Sequence, residues 1–248
     1  MIKIKSQKDI ECMRESGRLT ANVLKYIEQQ IRIGMSTEEL NNLAHKYIIS
    51  LGAQPSFLGY SGYPASTCIS IDDTVVHGIP SKDEIIQDGQ IVSVDVGVEY
   101  NGWQGDAART FLVGNVSEEK KKLVKVTEQC FFEAVKNLRD GTPLGDIGYY
   151  VQSVAEANGF SVVRALVGHG IGRDMHEDPS VPNYGKKGTG IRLKQGMTIA
   201  IEPMINLGGY QVDFMPDGWR VRTRDRKPSA HYENTVAITE NGVEILTL

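Results

Sequence analysis

The chain has 248 residues, of which 40% are hydrophobic, and this suits one sizeable globular domain. Its 27 basic and 31 acidic residues give a net charge of −4, which favours neither nucleic acid nor an anionic membrane as the main partner. The cysteines, Cys12, Cys68 and Cys130, lie far apart, so neither disulfides nor a cysteine zinc site is expected. No apolar run approaches the ~20 residues that span a bilayer, and no signal peptide is evident. We therefore expect a soluble, cytoplasmic protein.

The first half of the chain opens with helical patterns and continues with strands. Apolar residues recur at helical spacing over Gln7–Ile31, and a second helix begins at Ser36, which opens a Ser-x-x-Glu capping box. The period then changes, and Ile91–Val96 has the character of a buried strand. Asn101 and Gly102 mark a tight two-residue hairpin turn after it.

The second half repeats this order. A third helix is predicted near Ser117 and a fourth at Thr142, with Pro143 as its first helical residue. Three short patterns also recur in the same order in both halves. Gly34–Leu40 is similar to Gly141–Ile147, Val76–Ile79 to Gly168–Ile171, and Gly89–Asp95 to Gly196–Glu202, where a glycine precedes a carboxylate by six residues. The pattern indicates an internal duplication with halves at about residues 1–116 and 117–248 of a single catalytic domain, although coincidence between short patterns is the alternative. We predict an α+β fold with a curved sheet, helices over one face and a cleft on the other.

Hairpin geometry relates Asp95 to Asp106. If the loop has two residues, Tyr100 faces Trp103 and Asp95 faces Ala108, which places Asp106 diagonally beside Asp95 on the same face. Two like charges this close require a cation or a shared proton. The alternative is a pair of exposed turn aspartates.

Three other residues are candidate metal ligands, although the local sequence pattern around each is weaker evidence. Glu202 ends an apolar strand, and Pro203 after it interrupts the hydrogen-bond ladder. Glu233 precedes another strand, where a solvent-facing position is the simpler interpretation. Glycines on both sides of His169 leave room for a ligand or metal to approach the backbone. Together with the aspartates, four carboxylates and one imidazole can hold two divalent cations.

Short motifs along nearly the whole chain are more specific than any single residue. They are His77-Gly-Ile-Pro80, Gly168-His-Gly-Ile-Gly172, His176-Glu-Asp-Pro179, Ile201-Glu-Pro-Met204 and Tyr232-Glu233. In this set the chain resembles the type I methionine aminopeptidases, metallopeptidases of the pita-bread fold. No cysteine-rich segment precedes the first helix, which is typical of the bacterial form.

The resemblance implies a dinuclear metal site. By it, Asp95 chelates one metal, His169 and Glu202 bind the other, and Asp106 and Glu233 bridge both. The oxygen-rich ligation suits Mn²⁺, Fe²⁺ or Co²⁺ and admits Zn²⁺. A hydroxide between two such metals is a nucleophile at neutral pH, and here it would attack the peptide carbonyl after the first methionine.

The resemblance also assigns catalytic and substrate-binding roles. His77 is expected to hydrogen-bond the scissile amide nitrogen, and His176 to stabilise the carbonyl oxygen as it becomes an oxyanion. Glu202 is the candidate for moving a proton from the attacking water to the leaving amine. Structural, hydrogen-bonded histidines are the alternative for His77 and His176. His45, by contrast, is interpreted as a surface residue.

The family's methionine pocket needs apolar walls without charge, because a thioether offers only dispersion and weak polar contacts. The chain departs from the family by having Met175 where phenylalanine is frequent and Phe57 where cysteine is frequent. Around the last ligand it has His231 and Asn234 in place of glutamine and histidine, a change that bears on metal preference or rate. The pocket maps to Phe57, Tyr60, Tyr63, Cys68, Met175 and Trp219.

The implied function is removal of the first methionine from nascent polypeptides with a small second residue, near the ribosome, by a monomer. No direct nucleic-acid or membrane role is expected. A related proline-specific peptidase is the second interpretation, although such relatives usually carry an extra N-terminal domain. A third is a non-catalytic pita-bread protein that binds partners, and such proteins typically lose metal ligands.

Overall fold

The computed structural model describes all residues, 1–248. Its helices are α1 (Gln7–Gln30), α2 (Thr37–Ser50), α3 (Glu118–Lys136) and α4 (Gly145–Ala157), with a short 3₁₀ turn at Tyr60–Gly62. No helix combines the length and apolar character that crossing a bilayer requires. The strands are β1 (Gln54–Pro55), β2 (Thr67–Ile71), β3 (Thr74–Val76), β4 (Gln90–Tyr100), β5 (Trp103–Val113), β6 (Ser161–Val162), β7 (Gly168–Gly170), β8 (Glu177–Val181), β9 (Thr198–Ile201), β10 (Met204–Asn206), β11 (Val212–Phe214), β12 (Val221–Thr223), β13 (Ser229–His231), β14 (Glu233–Thr239) and β15 (Gly242–Ile245).

A nine-stranded antiparallel sheet organises the molecule. Its order is β1-β4-β5-β14-β9-β7-β8, with β2 also paired to β4 and β15 to β14. Two three-stranded sheets, β13-β10-β6 and β11-β12-β3, lie beside it. Helix α1 packs on β4 and β5, and α3 packs on α4. The predicted α+β class and antiparallel sheet are confirmed.

The protein has two large hydrophobic cores, one formed mainly by the first half of the chain and one mainly by the second. One consists of buried residues between Leu19 and Val113, from α1, α2 and the strands of the first half. The other consists of Ile91 and of buried residues between Val116 and Ile238. Each helix pair therefore packs on its own part of the sheet, and this packing supports the proposal that residues 1–116 and 117–248 are related halves.

Serine side chains fix the beginnings of the helices. Ser6 and Ser36 each accept a hydrogen bond from the backbone three residues on, and the carboxylates of Asp9 and Glu39 close the two capping boxes. Ser117 caps α3 in the same way, without the reciprocal carboxylate bond. The predicted starts of these helices are confirmed.

Helix α4 begins three residues later than Thr142, so the predicted start is wrong. Pro143 forms a β-bridge with Arg192, and the backbone N–H of Leu144 donates to the carbonyl oxygen of Ile191 at 2.8 Å. These long-range bonds tie Pro143 and Leu144 to the segment around Arg192, so the regular helix begins only after them, although Leu144 already has helical backbone angles.

The prediction that His45 lies at the surface is confirmed only in part. The ring is only partly exposed, and its Nδ1 lies 2.8 Å from the hydroxyl of Ser66. The fully buried line of α2 runs through Leu40, Ala44 and Ile48, and it therefore brings His45 closer to the core than expected.

The contact between α1 and the C-terminal segment can be tested at Gly17. A Cβ there would lie 2.3 Å from the carbonyl oxygen of Leu246. On an exposed helix surface alanine is favoured over glycine by roughly 1 kcal/mol, but here we expect Gly17→Ala to lower the free energy of unfolding by about 1–3 kcal/mol through overpacking. Urea unfolding followed by circular dichroism measures this difference.

The matched control is Gln29→Ala, on the exposed side of the same helix. It should change the free energy of unfolding by no more than about 0.5 kcal/mol. A Gly17→Ala variant that is more stable than the parent would contradict the close approach of α1 to Leu246.

Candidate metal centre

The large sheet places two carboxylates in one row across three adjacent strands. Asp95 on β4 is paired with Ala108 on β5, and Ala108 is paired on its other side with Glu233 at the start of β14. The predicted hairpin register, with Tyr100 opposite Trp103, is confirmed. Paired residues point to the same face of a sheet, so only the methyl group of Ala108 separates the two carboxylate positions.

A second row lies two residues further along these strands. The backbone N–H and carbonyl of Asp106 both hydrogen-bond the hydroxyl of Thr235 on β14, at 3.0 and 2.9 Å. Thr235 is paired with Ala200 on β9, and Ala200 with His169 on β7. Small side chains thus stand between the larger functional ones, and this leaves room above the sheet.

Glu202 follows directly on the last residue of β9. Pro203 comes next, and the chain then leaves the large sheet, because Met204 pairs with His231 in a separate sheet. The predicted interruption of the ladder at Pro203 is confirmed. Asn183 donates to the backbone carbonyl of Glu202 at 2.9 Å and so holds this strand end in place.

His169 faces the carboxylates with one ring nitrogen. Its Nε2 lies 3.5 Å from Oδ2 of Asp106 and 3.8 Å from Oε1 of Glu202. Its Nδ1 lies 2.9 Å from the carbonyl oxygen of Gly170, so a proton there donates to that carbonyl. This arrangement leaves the Nε2 lone pair directed at the carboxylates, as in histidines that bind metal.

Asp106 and Glu233 are buried, whereas Asp95 and Glu202 are partly buried. Burial raises the pKa of Asp106 to about 8. Burial, and then the charge of neighbouring carboxylates, raises the pKa values of Asp95, Glu202 and Glu233 well above their usual range. One oxygen each of Asp95, Asp106 and Glu233 is buried without a hydrogen-bond partner. Such a donor set fits divalent cations, which would satisfy these oxygens and neutralise the charge.

The glycines around His169 serve a different purpose from the one predicted. A Cβ on Gly168 would lie 2.3 Å from the carbonyl oxygen of Ala200, and one on Gly170 would lie 2.1 Å from that of Asp178. Both glycines are thus required by the backbones of the neighbouring strands. They let β7 fit tightly between β8 and β9, and they do not open space for a ligand.

A cavity of about 180 Å³ opens onto the carboxylates. Met175 is the one predicted site residue that does not line it, but it is buried and belongs to the same hydrophobic cluster as Phe57. The structure therefore brings the remaining predicted site residues together around one space. The cavity is lined by Phe57, Tyr60, Tyr63, Cys68, His77, Asp95, Asp106, His169, His176, Glu202, Trp219 and Glu233.

One end of the cavity is apolar. The hydroxyl of Tyr63 is directed into the backbone, where it donates to Thr67 at 3.1 Å and Gly78 at 3.0 Å, so its ring presents an apolar surface. The edge of Trp219 packs against this ring, with centroids 5.0 Å apart. Cys68 is buried, and burial raises the pKa of its thiol, which therefore stays protonated and uncharged.

Two further histidines border the cavity at different depths. His77 has a positive φ of 59°, an uncommon backbone conformation that histidine tolerates better than most residues, and burial lowers its pKa to about 4. His176 is exposed at the mouth, where its Nδ1 lies 2.9 Å from the hydroxyl of Tyr60. Its ring centroid is 4.1 Å from that of His169. Both rings can therefore reach a substrate beside the carboxylates.

One residue of the centre was not predicted as part of it. His231 is 2% exposed, and its Nε2 lies 3.7 Å from Oε2 of Glu202 and 3.8 Å from Oε2 of Glu233. Burial lowers its pKa to about 3. His231 and Glu233 are two residues apart, and in a continuous strand such residues point to the same face. This spacing could have predicted that His231 lies near the carboxylate of Glu233.

Known proteins are similar to the chain over its whole length. Residues 11–240 match metallopeptidase family M24. A methionine aminopeptidase of Clostridium perfringens is 51% identical over 248 residues, which are 100% of this chain and 99% of that protein. The crystal structure of methionine aminopeptidase from Rickettsia prowazekii superimposes with a TM-score of 0.98 at 45% identity and covers 100% of both chains.

A proline-specific peptidase shares the fold at lower similarity. The Xaa-Pro dipeptidase of Bacillus anthracis superimposes with a TM-score of 0.79 at 22% identity over 98% of this chain and 61% of that one. This likeness shows the fold alone, and with the Rickettsia structure it confirms the expected pita-bread architecture. The chain belongs to metallopeptidase family M24 and, within it, to the type I methionine aminopeptidases of the bacterial form.

Proposed function

We propose that the protein removes the N-terminal methionine of nascent polypeptides whose second residue is small. This proposal rests on one observation: the same small cavity has apolar side chains at one end and carboxylates at the other. The apolar end, with Tyr63, Cys68 and Trp219, offers no charge and so suits an unbranched thioether side chain. The cavity of about 180 Å³ has room for one side chain beside the carboxylates, which is consistent with removal of a single terminal residue.

We further propose that the centre holds two divalent cations, chosen among Co²⁺, Mn²⁺, Fe²⁺ and Zn²⁺. Asp106, His169 and Glu233 offer donor atoms within 4.8 Å of one another, and Asp95 and Glu233 belong to a second such group. Glu202 lies against both groups through its contacts with His169 and His231. When bound, such cations supply a deprotonated water at neutral pH and polarise the carbonyl.

Protein side chains would position the peptide and move the proton. With a pKa near 4, His77 is neutral at pH 7, and its ring can hydrogen-bond the scissile amide nitrogen. His176, held by Tyr60 at the mouth, would donate to the carbonyl oxygen as negative charge develops there. The carboxylate of Glu202 would accept the proton of the attacking water and deliver it to the leaving amine.

The cellular setting follows from this activity. We propose that the enzyme acts in the cytoplasm as a monomer, on peptide N-termini that emerge from the ribosome. The net charge of −4 gives no general attraction to RNA, so contact with the ribosome would depend on the nascent chain or on a local surface.

Substrate choice tests the function directly. We expect the cobalt- or manganese-loaded protein to release methionine from Met-Ala-Ser and to leave an Ala-Pro dipeptide intact. Product analysis by liquid chromatography measures both reactions. Cleavage of the proline substrate alone would show a proline-specific peptidase instead. Cleavage of neither, with no divalent metal in protein purified without oxygen and none restored by adding it, would favour a non-catalytic binding protein.

The metal proposal predicts a change in thermal stability. A ligand that binds only the folded state at a hundred times its dissociation constant adds about 2.7 kcal/mol, which corresponds to roughly 5–10 °C in Tm for a chain of this size. We therefore expect Mn²⁺ to raise the Tm by this amount over protein in EDTA. Differential scanning calorimetry makes the comparison.

The variant Asp95→Asn separates two effects of the carboxylates, their mutual repulsion and their binding of metal. It removes one of four mutually repelling carboxylates, so its Tm in EDTA should exceed that of the parent, and its response to Mn²⁺ should be smaller. Equal Tm values with and without Mn²⁺ in the parent would contradict a metal centre at these residues.

The role of His77 predicts a loss of turnover without a loss of folding. His77→Ala should reduce kcat on Met-Ala-Ser by ~10²–10⁴-fold, because the hydrogen bond to the leaving amide nitrogen disappears. His45→Ala is the matched control, since His45 lies on α2 outside the cavity, and it should retain the parental kcat. Full activity of His77→Ala would remove His77 from the mechanism.

A further inference from the structure

His231 is held firmly at the edge of the centre. It ends β13, where it is paired with Met204 of β10. Its backbone N–H donates to the hydroxyl of Thr110 at 3.0 Å, and that hydroxyl donates to the backbone carbonyl of His231 at 2.8 Å. The side chain is 2% exposed, so solvent does not hydrogen-bond the ring from outside. The backbone is thus fixed on both sides, and the ring has a defined direction.

The ring nitrogen that faces the carboxylates has no hydrogen-bond partner. Nε2 of His231 is buried and unpartnered, 3.7 Å from Glu202 and 3.8 Å from Glu233. These distances exceed the 2.7–3.2 Å range that is usual for an N–H···O bond. An unsatisfied buried polar atom costs roughly 1–3 kcal/mol, so a partner between the nitrogen and the two carboxylates would be stabilising.

A cation fits the distances better than a hydrogen bond. Two donor atoms at about 2.1 Å from one metal ion lie roughly 3–4 Å apart. The nitrogen of His231 meets this condition with both glutamates. Nε2 of His169 lies at similar distances from two carboxylates, 3.5 Å from Asp106 and 3.8 Å from Glu202. Each imidazole therefore faces a pair of carboxylates.

The donor atoms fall into two groups, each of which contains one imidazole. Asp106, His169 and Glu233 form one, and Asp95, His231 and Glu233 form the other. Glu233 belongs to both groups and can bridge them. Without His231, the group beside Asp95 would consist of carboxylate oxygens only.

We propose that Nε2 of His231 is a direct ligand of the cation beside Asp95, so that each of the two cations is bound by one imidazole. This inference rests on the proposed two-cation centre. An added nitrogen donor shifts preference from Mn²⁺ toward Co²⁺ and Zn²⁺, which bind imidazole more strongly. His231 is thus a specificity-determining residue for the metal.

Paramagnetic proton NMR of the holoenzyme loaded with two equivalents of Co²⁺ tests the proposal. A histidine bound through Nε2 keeps a proton on Nδ1, which gives a strongly shifted resonance that disappears in D₂O. We expect two such exchangeable resonances, from His169 and His231. A single exchangeable resonance in the unaltered protein overturns the proposal, and this count needs no variant.

The variant His231→Gln, which places the usual family residue at this position, supplies the second measurement. One of the two shifted resonances should disappear, and titration calorimetry should show affinity at one site reduced at least about tenfold for Co²⁺ and less for Mn²⁺. His45→Gln, which removes the histidine outside the cavity, should keep both resonances and both affinities. Retention of both resonances in His231→Gln overturns the proposal.

An activity assay on the same samples tests the proposed function separately. Release of methionine from Met-Ala-Ser by the parent reports whether the protein is the expected aminopeptidase. An active parent with one exchangeable resonance would leave that function in place and exclude His231 as a ligand. An inactive parent with two resonances would exclude the function and keep the ligand assignment.

Discussion

The repulsion among four carboxylates that share one cavity is the constraint on which the rest of this structure depends. Burial raises the pKa of Asp106, and burial together with the charge of neighbouring carboxylates raises the pKa values of Asp95, Glu202 and Glu233. A chain that holds them ionised at neutral pH needs compensating positive charge. Cations provide it, and the same charge that makes the centre costly in the metal-free protein gives it affinity for metal.

The antiparallel sheet is what keeps the carboxylates from moving apart. Asp95, Ala108 and Glu233 form one row through backbone pairing. In the next row Thr235, Ala200 and His169 are paired, and Asp106 joins them through the hydroxyl of Thr235. Small side chains, Ala108 in the first row and Ala200 in the second, alternate there with the larger functional ones. The close fit of β7 between its neighbouring strands requires glycines on both sides of His169, and it fixes the position of this histidine relative to the carboxylates.

The sequence predicts local geometry well and long-range geometry poorly. The Asn101-Gly102 turn determines the pairing of Asp95 and Ala108, because a two-residue loop admits one register. The burial of Glu233 and the start of α4 depend on strands and loops distant in sequence, such as β5 for Glu233 and Arg192 for Pro143. The position of His231 likewise follows from β10, which no local pattern specifies, so the residue was noticed only as a departure from the family motif.

His231 and Asn234, the two residues near Glu233 that differ from the family pattern, have different structural consequences. His231 faces the centre, whereas the side-chain oxygen of Asn234 faces away from it and accepts hydrogen bonds from Arg109 at 2.7 Å and from Thr247 at 2.9 Å. Arg109 also donates to the backbone carbonyl of Glu233, so Asn234 helps to fix the strand that carries this carboxylate. Under the proposed ligation, His231 therefore bears on which donor atoms meet the metal, whereas Asn234 bears on how rigidly Glu233 is held in place.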